Sequence, residues 1–238
     1  GLVYDNWDTN LHWIDPFPNG VPADWTRYRG VDPGRVHPFG GLWLAVAPWG
    51  DAVLYKEHYE VGIGDWANVK KIVEDLSGNK LVRAAPDQKL PDGTVYPIYK
   101  EEFCHPEQYT WTAMDPRSFK HPSGDAGGTL GDMFTRMGLW CVPGGTMGNE
   151  DAIKKIHGWF EPEKDRPHIL VRMGIVDAVL GAEWGAPKLY VFNTLKHFRA
   201  EIEGYIYKPD TEKPRDKDDH LMTTLKYILT LDPTYMGK

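Results

Sequence analysis

Trp25-Thr26-Arg27-Tyr28-Arg29-Gly30-Val31-Asp32-Pro33-Gly34 is the stretch on which the reading of the fold turns. Arg27 to Asp32 reads as a short strand, and Pro33-Gly34 stops it at once, because proline cannot extend a ladder and glycine favours a tight turn. An aspartate at that exit has its carboxylate turned out of the sheet. There it either shapes the turn or binds a metal ion or a phosphate-bound ion. Gly34 offers a positive φ or a close approach of a ligand to the backbone. The apolar run Phe39-Gly40-Gly41-Leu42-Trp43-Leu44-Ala45-Val46 follows. It places a second strand, over Gly41 to Ala47, back on the first. Pro48-Trp49-Gly50-Asp51 is a turn, and Ala52 to Tyr59 alternates as a third strand. Three consecutive antiparallel strands make a meander.

The chain has 238 residues, 41% hydrophobic and 26% charged. That suits one large domain with a packed core, or one domain with insertions. No apolar run approaches the roughly 18 residues of a membrane span, and no secretory signal opens the sequence. The two cysteines, Cys104 and Cys141, are far apart. They point to no zinc site and no disulfide framework, which places the chain in a reducing, intracellular setting. A net charge of −7 argues against a freestanding, tight nucleic-acid binder. It leaves a nuclease open, since a metal-loaded acidic site cancels negative charge.

Around the meander, residues 1–24 show no sustained periodicity and read as a surface leader or interdomain linker, ahead of a domain over 25–238. Asp65 to Leu76 has helical spacing with Asp65 as its cap. Within 77–108, an Asp92-Gly93 turn between strand-like flanks predicts a β-hairpin insertion. Tyr109 to Met114 is a further strand, ending at Asp115-Pro116, the second Asp-Pro at a strand exit. Gly124 to Gly131 is glycine-rich but lacks a Walker A pattern, so it reads as a loop. A short helix over Leu130 to Met137 leads to a strand over Leu139 to Val142. A helix follows from Asn149, its expected cap, to Trp159. It carries Lys154, Lys155 and His157, either a solvated face or a DNA-facing patch. His168 to Trp184 has no clear period. Lys188 to Phe192 is a strand. A helix capped by Asn193 or Thr194 runs to Glu203 with Leu195, Phe198 and Ile202 inward. The last helix, about Asp219 to Leu231, has the stripe Leu221, Leu225, Ile228, Leu229.

Asp218-Asp219-His220 opens that last helix. Acids are favoured at a helix N-terminus, but capping needs one acid, and two side by side repel unless a cation lies between them. If the strands ending at Asp32 and Asp115 are neighbours, their carboxylates meet at one sheet edge with the Asp218/Asp219 pair. Carboxylate-only ligands suit Mg²⁺ or Mn²⁺. Two such ions roughly 3.5–4 Å apart are a general device for phosphodiester hydrolysis.

In order, the segments WTRYRGVDPGR, YKEHYEVG, TAMDPRSF, FTRMGLWCVPGG, NEDAIKKIHGWF, LYVFNTLKHFRAEIEGYIY and KDDHLMTTLKY resemble the nuclease domain of the large terminase subunit of tailed bacteriophages, within the RNase H-like (RuvC-like) superfamily. The resemblance implies an α/β fold: an RNase H-like mixed central sheet, an antiparallel three-strand meander plus parallel strands, flanked by helices. It implies two Mg²⁺ or Mn²⁺ ions held by Asp32, Asp115, Asp218 and Asp219, and endonucleolytic cutting of concatemeric double-stranded DNA during genome packaging. Implied partners are the DNA, an ATPase motor domain of the same polypeptide, the portal and the small terminase subunit, in the host-cell cytoplasm and without a membrane. His220 would be an outer-shell or DNA-contacting group, beside Lys154 and Lys155. Two features depart from the pattern. Thr223 stands where many members carry an Asp in Asp-His-x-x-Asp, and the 77–108 region is long. Since no Walker A sequence occurs, the chain reads as the nuclease half alone. A resolvase or transposase core, an actin-like ATPase lobe, or a non-catalytic DNA-docking module are the competing readings.

Overall fold

Strand order in the central sheet follows from which segments are apolar enough to be buried on both faces. The computed structural model describes residues 1–34, 36–62, 70, 71, 74, 80–89, 91, 93, 95–102, 107–120, 122, 123, 128–177 and 185–237. Its strands are β1 (Trp13–Ile14), β2 (Thr26–Asp32), β3 (Phe39–Val46), β4 (Ala52–Glu60), β5 (Lys80–Lys89), β6 (Val95–Glu102), β7 (Tyr109–Met114), β8 (Pro122–Ser123), β9 (Gly128–Thr129), β10 (Cys141–Pro143) and β11 (Leu189–Phe192). Its helices are α1 (Thr9–His12), α2 (Leu130–Arg136), α3 (Asn149–Phe160), α4 (Ile169–Arg172), α5 (Lys196–Gly204) and α6 (His220–Leu229), with a 3₁₀ turn at Pro116–Phe119.

Seven strands form one mixed sheet in the order β1-β11-β4-β3-β2-β7-β10. β2, β3 and β4 are the expected antiparallel meander. β7 joins β2 in parallel, β10 joins β7 in parallel, and β11 joins β4 in parallel. All eight residues of β3 are buried, as a central strand covered on both faces must be. On one face, α6 lies over β2, β3 and β7, with Leu221, Leu225, Ile228 and Leu229 buried as the stripe predicts. On the other face, Val31, Phe39, Trp43 and Met114 pack with Leu81 of β5 and with Phe134 of α2. Within 77–108, β5 pairs antiparallel with β6. Among the described residues, no helix is long and apolar enough to cross a membrane.

Several expectations need correction. The 1–24 segment is more than a surface leader. β1 extends the sheet beside β11, and Val3, Tyr4, Ile14 and Phe17 are buried, because its scattered apolar residues anchor separately rather than through a period. The cap of α3 is Gly148, without a side-chain bond, and Asn149 Oδ1 instead accepts from Lys226 Nζ at 3.3 Å. Neither Asn193 nor Thr194 caps α5. Glu57 of β4 accepts from the N–H groups of His197 and Phe198, at 3.0 and 2.8 Å. A glutamate from another element therefore satisfies donors that a local cap would otherwise take. Gly34 has no positive φ. Its loop folds back so tightly that a Cβ there would lie 2.3 Å from the His37 and Pro38 carbonyl oxygens, so the close approach is to the chain itself. In the 168–184 stretch, Ile169–Arg172 is helical. The helix expected over Asp65 to Leu76, the Asp92-Gly93 turn and the Gly124 to Gly131 loop lie wholly or partly outside the described residues.

Candidate metal centre

Parallel pairing of β2 with β7 puts Val31 opposite Met114, so the next residues, Asp32 and Asp115, leave adjacent strands side by side. Neighbouring strands are about 4.8 Å apart. Val31 and Met114 face the Phe134 cluster. The alternation of side chains then turns both aspartates towards the face that carries α6. The sequence left this adjacency conditional on the strand order, and the sheet supplies it.

α6 completes the surroundings from above. It can lie this close because β2 presents glycine beneath it. A Cβ on Gly30 would be 2.6 Å from Ile228 Cγ1, and one on Gly144, just past β10, would be 2.7 Å from Tyr227 Cβ. The helix brings His220 to Asp32, Nδ1 to Oδ2 at 3.0 Å. That bond holds the His220 pKa above the usual histidine value, against the opposing effect of burial. Seven residues on, Tyr227 stands within the electrostatic reach of both Asp115 and Asp32. Burial, followed by the neighbouring carboxylates, pushes the Tyr227 hydroxyl well above its ordinary pKa.

Asp115 accepts from the Arg117 backbone N–H at 2.8 Å and from the Arg117 guanidinium at 2.9 Å through Nε and 2.7 Å through Nη2, both to Oδ2. Burial pushes its carboxyl pKa up, but the Arg117 bonds and charge hold it below the ordinary range. Asp219 sits at the cap position of α6 without making a capping bond. Glu201 of α5 takes that role, its Oε2 accepting from the N–H groups of Leu221 and Met222 at 2.7 and 3.1 Å. Burial, then the charge of Asp216, raises the Asp219 pKa, with Asp32 contributing in the same direction. Asp218 is exposed, has φ of 51° and pairs with Lys217. It is not drawn in with the others. Nor are the two lysines. Lys155 pairs with Asp232 beyond the far end of α6, and Lys154 is exposed beside Glu150, His157, Tyr207 and Glu212.

Asp32, Asp115, Asp219 and His220 therefore stand around one end of the sheet, with Arg117 and Tyr227 among them. Among the described residues, no three His, Cys, Asp or Glu side chains are grouped closely enough to close a cage on one ion. The donor chemistry suits a hard divalent cation, since its oxygens are carboxylate oxygens and no thiolate is present. Two of these carboxylates are engaged by basic side chains, His220 on Asp32 and Arg117 on Asp115.

Sequence reading missed Arg117, Tyr227 and Glu201. Arg117 was signalled within Asp115-Pro116-Arg117, where an arginine two residues past an Asx-type turn can fold back on its carboxylate. Tyr227 lies on the His220 face at i+7. Glu201 lies between Phe198 and Ile202, an acid on the apolar face of its helix.

No protein-family model matches the sequence, and no curated protein matches it. Solved structures do match the fold. The large terminase of a thermophilic bacteriophage superposes with a TM-score of 0.61 at 11% identity, over 98% of this chain and 45% of that one. The P22 large terminase nuclease domain superposes with a TM-score of 0.60 at 13% identity, over 97% of this chain and 92% of that one. The chain spans less than half of the thermophilic phage protein and nearly all of the P22 domain. It has the α/β fold of these nuclease domains, a mixed seven-stranded sheet flanked by helices.

Proposed function

We propose that this chain, which has the fold of large-terminase nuclease domains, is a divalent-metal-dependent endonuclease that cuts double-stranded viral DNA during genome packaging. The observation that carries the reading is the register of β2 against β7. It puts two strand-exit aspartates side by side under a helix that begins with Asp219 and His220. Acids gathered at one sheet edge repel each other, and a cation between them relieves that repulsion.

Asp32, Asp115 and Asp219 are the residues that would hold Mg²⁺ or Mn²⁺, with Asp218 as a further candidate ligand. When bound, a pair of such ions lowers the pKa of water and stabilises the leaving oxygen of a phosphodiester. The chain's own residues do the rest. Asp32 and Asp115 are fixed by the ends of two paired strands, so their separation is set by backbone pairing rather than by loop packing. His220 bonds Asp32 and orients its carboxylate. Arg117 does the same for Asp115 through its backbone N–H and its guanidinium. With a net charge of −7, the surface adds little general attraction for DNA, so the DNA partner depends on this site or on other parts of the packaging machinery. That machinery would comprise an ATPase motor domain, the portal and the small terminase subunit.

The test is Asp32→Asn and, separately, Asp115→Asn. Asparagine keeps the shape and an acceptor oxygen while removing the charge. Mn²⁺-dependent nicking of supercoiled plasmid should fall by about two orders of magnitude or more, the scale of losing an electrostatic stabiliser. Circular dichroism should stay unchanged. Cutting that persists in either variant, or that survives EDTA in the wild type, contradicts the reading.

A further inference from the structure

The hydrogen bonding of Asp115 has a consequence for how a cation can reach it. A carboxylate offers about four lone-pair directions. Here they are taken by Arg117 alone, its backbone N–H and Nε on Oδ1 and its Nε and Nη2 on Oδ2. A metal ion can bind Asp115 only if a donor leaves. The backbone N–H belongs to the 3₁₀ turn at Pro116–Phe119, whose first donor it is. The Arg117 side chain is 81% exposed, so it alone can leave without disturbing the fold.

We propose that Arg117 is a displaceable counter-ion of this site, exchanging the Asp115 carboxylate for a DNA phosphate when a divalent cation takes its place. The inference rests on the metal-site reading above. A guanidinium fork fits a carboxylate and a phosphate in the same bidentate way, so the exchange conserves its hydrogen bonding. A dication beside Asp115 repels the guanidinium, and the nearest anion then on offer is the nucleic acid that the site is there to cut. Arg117 thus balances the Asp115 charge before metal arrives and becomes a phosphate-positioning residue afterwards. No covalent bond is made or broken in the exchange. The alternative is an arginine that only stiffens the turn after β7.

Mn²⁺ titration by calorimetry of the whole chain separates these, using wild type, Arg117→Ala, Arg117→Lys and Asp32→Asn. Displacement requires Arg117→Ala to bind Mn²⁺ several-fold more tightly than wild type, because a competitor has been removed. It also requires that, with Ca²⁺ present, its affinity for a short duplex falls several-fold and its salt slope drops by about one phosphate contact. Arg117→Lys, which keeps the charge without the fork, should lie between the two in both measurements. Unchanged or weaker Mn²⁺ binding in Arg117→Ala overturns the displacement, since a purely structural arginine gives that result. Tighter Mn²⁺ binding with unaltered duplex affinity overturns the phosphate-positioning role. If wild type and Asp32→Asn both fail to bind Mn²⁺, the metal-site reading itself falls and the inference goes with it.

Discussion

Glu201 does for the last helix what an aspartate at its own N-terminus ordinarily does. Its Oε2 accepts from two backbone N–H groups at the start of α6, which leaves the Asp219 carboxylate out of the cap. Burial outweighs those two donors and raises the Glu201 pKa from 4.5 to about 7. Between these values the folded chain keeps a proton that the unfolded chain has lost, so stability must decline as pH rises through that window. Glu201→Gln keeps a carbonyl acceptor and cannot titrate. Its unfolding free energy should be flat between about pH 4.5 and 7, after allowing for other groups, where the wild type slopes downward. Glu201→Ala strands both N–H groups and should cost about 1–3 kcal/mol at either pH. Urea denaturation at several pH values reads all three proteins, and a glutamine variant that kept the full wild-type slope would remove Glu201 as its source.

At the scale of elements, the seating of α6 on the sheet decides the site. The helix contributes Asp219, His220 and Tyr227, and its height above β2 is set by the missing side chain at Gly30. Ile228 is fully buried, so it has little room to yield to an added methyl group. Gly30→Ala should destabilise the fold by about 1–3 kcal/mol, the usual range for overpacking. It should also weaken Mn²⁺ binding, because lifting α6 moves Asp219 away from Asp32 and Asp115. Combining it with Ile228→Ala should cost less than the sum of the two single changes, since the smaller residue makes room for the new methyl. Additive costs in thermal melts would mean that Gly30 does not set the helix position. The same helix explains why its apolar stripe was legible while its caps were not. A stripe depends on residues of one helix, whereas the cap comes from α5, and the cap of α5 comes from β4.

Across the whole molecule, charge opposes the proposed partner. A protein with a net charge of −7 should bind a short duplex weakly, in the range of non-specific binding at about 10⁻⁴–10⁻⁶ M at physiological salt. Ca²⁺, which fills an oxygen site without serving as the proposed catalytic ion, should tighten that binding by cancelling carboxylate charge. Fluorescence anisotropy with and without Ca²⁺ measures both effects, and tightening of equal size in Asp32→Asn would place the Ca²⁺ elsewhere. Lys154 and Lys155 stand outside the acidic group, and neutralising them should leave the Ca²⁺ effect intact.

By itself, the sequence determined the meander, the strand that ends at Asp115 and the apolar face of the last helix. Each of these depends on local periodicity and on Pro and Gly breaking the chain, which are properties of contiguous residues. It also singled out Asp32, Asp115 and the 218–219 pair. Only the tertiary structure decided that β7 lies against β2, that Asp219 is half-buried at the start of α6 while Asp218 is exposed, and that Arg117 and His220 hold the two strand-exit carboxylates. Those facts depend on strand order and on contacts between residues as far apart as Asp32 and His220. No local pattern encodes them, because pairing and burial across the sheet are settled by the packing of the whole chain.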